Sequence, residues 1–117
     1  MTEKKVLIKN IPQETVFETA SQVTVQPGQV VSKTLAQNDY VSITLFAFSE
    51  GEEIITHDSE GDAMVQVLEG TGVFTVDGKP YRVSAGEMLI MPAKIKHAVF
   101  AEENFKMLLT VVFPAEV

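Results

Sequence analysis

From Val30 onward the chain runs as short segments in which apolar and polar residues alternate, broken by turn signals at roughly 8–12-residue intervals. That pattern restricts the fold more than any other feature, because a sustained 3.6-residue apolar stripe is absent and layers of helix have nothing to be built from. Residues 30–35 read as a strand entered through the turn dipeptide Pro27-Gly28. After a turn at residues 37–39, residues 40–48 carry the β-branched and aromatic residues that suit a pleated, half-buried surface. Residues 63–68 and 72–76 are strands on either side of Glu69-Gly70-Thr71. Asp77-Gly78 supplies the positive φ angles of a two-residue hairpin turn, so residues 81–83 return antiparallel, with Pro80 where no ladder donor is needed. Residues 88–91, 98–101 and 105–113 complete the set. Regularly spaced short strands with such turns predict an all-β sandwich or barrel. No repeat, low-complexity tract or linker interrupts it, which predicts one domain over residues 1–117. Residues 1–20 carry the weakest pattern: residues 5–8 are expected to pair as an edge strand and residues 11–15 to form a loop.

Charge and composition exclude several functions. The 117 residues hold 9 Lys+Arg against 16 Asp+Glu, a net charge of −7, whereas a phosphate-backbone binder or an anionic-membrane binder needs the opposite balance. No nucleic acid and no membrane is expected as a partner. The lack of Cys removes disulfides, thiolate metal sites and Cys nucleophiles. The first nine residues contain no apolar core of a secretory signal, and no apolar run approaches the roughly 18–20 residues of a membrane span. A soluble, cytoplasmic protein is the expectation.

Few groups remain that could do chemistry, and the two His residues are the most informative. His57 closes a stretch that begins at Gly51, and His97 closes one that begins at Gly86; such positions can converge inside a small barrel. The run Gly51-x5-His57-x-Ser59-x3-Ala63-x6-Gly70, followed by Gly86-x5-Pro92-x-Lys94-x2-His97, resembles the two motifs of the cupin superfamily, G-x5-H-x-H-x(3,4)-E-x6-G and G-x5-P-x-G-x2-H-x3-N. The resemblance covers residues 41–112. It implies a small single-domain cupin β-barrel of jelly-roll type, and a homodimer as in many small cupins.

The departures from the pattern bear on function. In metal-binding cupins two His and a Glu of the first motif join the His of the second on one divalent ion. Carried over by position, His57 and His97 match the outer ligands, whereas Ser59 replaces the second His and Ala63 replaces the Glu. Lys94 stands for the second motif's Gly and Ala101 for its Asn. Two imidazoles make a poor site, since open catalytic centres usually supply three protein ligands. Asp62 is the candidate for a displaced carboxylate if Gly61 lets it swing inward. Glu53 shares strand parity with His57 but lies about 13 Å away along an extended chain, and Asp58 has the opposite parity. The plain structural reading stands beside each: the His residues as hydrogen-bonded wall groups, Asp62 as a solvated turn residue, Ser59 as a bond across the Glu60-Gly61 turn.

Alternation from His57 and Ala63 predicts that Val65 and Val67 face the lumen, while Met64, Gln66 and Leu68 face away. Ser59, Ala63, Val65 and Val67 are the expected pocket lining, with Ala63 making the lumen more apolar. Met64 and Leu68 outside would suit association of two sheets. Three readings stay open. One is a barrel that binds a small organic ligand, with weak association of one divalent metal ion. The second is a divalent-metal-dependent enzyme of isomerase, dioxygenase or lyase type, using His57, His97 and a nonstandard third ligand. The third is a structural or regulatory barrel with a vestigial pocket. A shared fold by itself names no reaction.

Overall fold

The computed structural model describes residues 6–56 and 58–115. Nine strands account for most of it: β1 (Val30–Gln37), β2 (Val41–Phe48), β3 (Glu53–Thr56), β4 (Asp62–Glu69), β5 (Thr71–Val76), β6 (Lys79–Ser84), β7 (Met88–Met91), β8 (His97–Ala101) and β9 (Phe105–Val112). They form two antiparallel sheets, one in the order β1-β2-β9-β4-β7 and the other β3-β8-β5-β6. This is the jelly-roll arrangement that the resemblance implies. No helix among the described residues is long and apolar enough to cross a membrane.

Turn chemistry sets the strand ends. Asn38 Oδ1 accepts the N–H groups of Tyr40 and Val41, which closes the β1–β2 connection. Asp77 and Gly78, at φ 50° and 82°, make the tight β5–β6 hairpin. Pro80 sits on β6, an edge strand bonded only to β5, so its missing N–H leaves no gap in a ladder. Gly70 is required twice over: its φ is 72°, and a Cβ there would run into the Asn104 carbonyl.

The core lies between the sheets. On β4 the inward set is Ala63, Val65 and Val67, which pack with Phe48, Phe74, Phe105, Met91 and Met107. The Phe105 ring stacks on Phe48 with centroids 4.6 Å apart and meets Phe74 edge-on at 6.1 Å. Its face rests on Gly72, where a Cβ would come within 2.7 Å of the ring.

A second cluster forms on the outer face of the five-stranded sheet. Val23 covers Leu35, Leu45 and Ala47, and Ile11, Val25 and Leu68 pack around them. The N-terminal segment therefore lies across its own sheet, with a single 3-10 turn at Thr19–Gln22 against β4. Lys106 Nζ donates to the Ala20 carbonyl at 2.8 Å, and Lys9 N–H donates to Leu35 O at 2.7 Å. The expected edge strand at residues 5–8 is corrected here: residues 6–8 are irregular and exposed, and Lys5 lies outside the described residues. The physical reason is the bulge in β1 between Thr34 and Ala36, which breaks the regular row of edge groups that a further strand would need.

Candidate functional site

The two motif regions meet at one end of the barrel. Ser59 Oγ accepts the Gly61 N–H at 3.0 Å and lies 3.3 Å from the Gly61 carbonyl, so the hydroxyl closes its own turn. The Ser59 carbonyl in turn accepts the Lys94 N–H at 2.7 Å. Beside it, Ala93 N–H donates to Asp62 Oδ1 at 2.8 Å. These last two bonds tie the loop before β4 to the loop before β8. Lys94 has φ 64°, a left-handed conformation that costs a side-chain-bearing residue roughly 1–2 kcal/mol. That explains why the family pattern places Gly at this position.

His97 opens β8, paired with Thr56 on one side and Val76 on the other. It shares a strand face with Val99 and Ala101, both buried, so the half-buried imidazole belongs to the inner face at the open end. Its Nδ1 lies 3.2 Å from the Ile95 carbonyl. A carbonyl can only accept, so in this contact any proton is on Nδ1. His57, the other outer ligand position, lies outside the described residues.

The remaining ligand candidates do not assemble around His97. Asp62 is exposed, stands on the opposite face of β4 from Ala63, and has one oxygen engaged by Ala93. An inward swing is prevented by its place in the β4–β9 ladder opposite Val112. Ala63 is 2% exposed and offers no donor atom. Among the described residues no group of three or more His, Asp or Glu side chains is placed to hold a metal ion. The described donors thus do not fit a divalent centre, which needs three or four ligands.

The expected pocket lining also divides. Ser59 is half-buried at the loop junction, whereas Ala63, Val65 and Val67 are sealed in the aromatic core. Val65 and Val67 face inward, as alternation predicts, in one buried cluster with Phe48, Phe74 and Phe105. Two clefts are lined by described residues. A cleft of about 690 Å³ is lined by Asn38, Asp39, Tyr40, Glu60 and residues 113–115, with two carboxylates on its wall. A second, of about 520 Å³, runs between β6 and β7 and is lined by Val76, Asp77, Lys79, Tyr81, Leu89, Ile90, Pro92 and Ile95. The smaller cleft borders the second motif, although His97 itself is not among its lining residues. Val76 is the strand partner of His97, the Ile95 carbonyl touches its ring, and Pro92 belongs to the second motif. Lys79 and Tyr81 were not singled out from the sequence, although their parity with inward-facing Val83 was visible there.

Comparison with known proteins shows the family. The family model described as "Cupin domain" matches residues 44–113. No curated protein matches the chain significantly. A crystal structure of a conserved protein of unknown function from Streptococcus pyogenes is similar at 40% identity, covering 97% of this chain and 100% of that one, with a TM-score of 0.94. A cupin superfamily protein from Desulfitobacterium hafniense is similar at 34% identity over 92% of this chain and 98% of that chain, with a TM-score of 0.87. A cupin 2 conserved barrel domain protein from Leptotrichia buccalis shares 47% identity over 82% of this chain, which covers 47% of that longer one, at a TM-score of 0.80. The chain belongs to the cupin family.

Proposed function

We propose that this cupin binds a small organic molecule at the barrel end where His97 stands. The observation that carries the reading is a cleft of about 520 Å³, mostly apolar in its lining, whose wall includes Val76, the strand partner of His97, and Ile95, whose carbonyl lies by the imidazole. Ligand sites are commonly concave, largely apolar and furnished with a few polar groups, in volumes of about 300–1,000 Å³. Ser59 and Ala63 at two of the four ligand positions support binding over metal chemistry, and any divalent ion held through His97 would be weakly associated. The metal-dependent enzyme reading rests on His57 and His97 keeping the family spacing. A cytoplasmic setting is in keeping with the absence of Cys.

A fragment screen read by methyl and imidazole NMR tests the reading. Saturable shifts at His97, Ile95 and Val76 are expected from a subset of organic fragments. A library that moves none of these signals would refute it.

We also propose a homodimer formed through the uncovered half of the five-stranded sheet. Met88 and Val112 are 52% and 56% exposed there, beside half-buried Met64, on the face that the N-terminal segment leaves open. Sedimentation at micromolar concentration should give twice the chain mass. A monomer would exclude this interface.

A further inference from the structure

The cleft between β6 and β7 is a window with two closed ends. At one end the β6–β7 turn is stitched to β4, with Gly86 N–H donating to Val67 O at 2.9 Å and Val67 N–H donating to Glu87 O at 3.1 Å. At the other end Asp77 N–H donates to Lys96 O at 2.9 Å, joining the β5–β6 hairpin to the loop before β8. Between these ties the two sheets part. Along the inward face of β6 exposure rises from 5% at Val83 to 36% at Tyr81, and Lys79 is exposed. Both edge strands have unpaired sides here, β6 in one sheet and β7 in the other.

The window has an apolar floor and one cationic rim group. Val76 and Leu89 pack on the core beneath it, and Ile95 closes the side toward His97. Lys79 Nζ stands 5.2 Å from the Tyr81 ring centroid, within cation–π reach, and both residues line the cleft. Lys79 forms no ion pair with the described residues. In a chain of net charge −7, an uncompensated ammonium above an apolar slot is a recognition feature for an anion with an apolar body. Asp77 on the same rim sets the charge of that anion, because a second negative charge on the ligand would meet its carboxylate.

We propose that this window binds a monocarboxylate with an aliphatic or aromatic body, its carboxylate received by Lys79 and its body lying over Val76, Leu89 and Ile95. The proposal rests on the small-molecule reading above and names its ligand class. Tyr81 positions the ammonium and adds a ring face to the slot.

Octanoate is the probe, with octanamide as its neutral counterpart, titrated while the methyl signals of Val76, Leu89 and Ile95 are followed. Octanoate should shift all three saturably and bind about tenfold more tightly than octanamide, the effect of one charge-assisted hydrogen bond. Lys79→Met keeps the aliphatic stem and should erase that difference; Lys79→Gln, with a polar but neutral end, should do the same. Equal binding of the two probes to the unmodified protein, or an undiminished octanoate preference in both variants, overturns the carboxylate assignment and leaves the small-molecule reading standing. If neither probe moves the three methyls, the window is not the site. Fragment-induced shifts at His97 would then still support binding at the barrel end, and their absence would remove both proposals.

Discussion

Phe105→Ala should lower stability by about 3–5 kcal/mol, the usual cost of emptying a buried aromatic site that cannot collapse. Phe105 is fully buried, stacked on Phe48 and edge-on to Phe74, and those three rings join the β5, β9 and β2 contributions to one cluster. Local collapse is limited because Gly72 offers only backbone beside the ring and the strands that carry Phe48, Phe74 and Phe105 are each fixed within their own sheet by ladder bonds. For a domain of this size, whose total stability is about 5–15 kcal/mol, the loss approaches half of what is available. Thermal unfolding should show a fall in Tm of about 15–30 °C. A fall of only a few degrees would mean that the ring cluster does not close the barrel.

Ala63→Glu should be comparably damaging, and it probes the site as well as the fold. Position 63 pairs with Met91 and Val111 and is 2% exposed within the apolar cluster. An introduced carboxylate would find no cation in that cluster, so burial would hold its carboxyl protonated well above the usual range. The folded state then keeps a proton that the unfolded state has lost, and stability falls as pH rises past the ordinary Glu value. The penalty should be small near pH 4 and about 4 kcal/mol by neutral pH, with a further ~1–3 kcal/mol from overpacking at any pH. Denaturant melts of the variant and its parent at pH 4.5 and 7 measure the difference. A variant as stable as its parent at pH 7 without added metal would show that position 63 is polar and accessible after all.

Much of the fold was legible in the residues because each strand announces itself locally. Alternation gave the inward set Ala63, Val65 and Val67, and Asp77-Gly78 and Asn38 marked their turns through chemistry confined to two or three neighbouring residues. Residues 6–25 were not legible in the same way. Their attachment uses isolated anchors, Val23 on Leu45 and the Lys106 ammonium on the Ala20 carbonyl, which leave no period in the sequence. The motif spacing led to His97, and strand parity placed it inward. Asp62 shows the limit: adjacency to the missing Glu position drew attention to it, yet neighbours on a strand point to opposite faces, and its oxygen serves the Ala93 amide. The Lys79–Tyr81 rim was hidden for a different reason. Which strand edges border a gap depends on the order of strands in both sheets, and alternation within one strand does not encode that order.

The decisive measurement is elemental analysis of tag-free protein as purified and after soaking in Mn, Fe, Ni, Cu and Zn, followed by desalting. Metal contents well below one ion per chain in every preparation are expected, since Ser59 and Ala63 stand at two of the four ligand positions and Asp62 is turned to the Ala93 amide, whereas a metal centre needs three or four ligands. A near-stoichiometric ion that disappears in His97→Ala would contradict the ligand-binding reading and establish a metal centre at this end of the barrel.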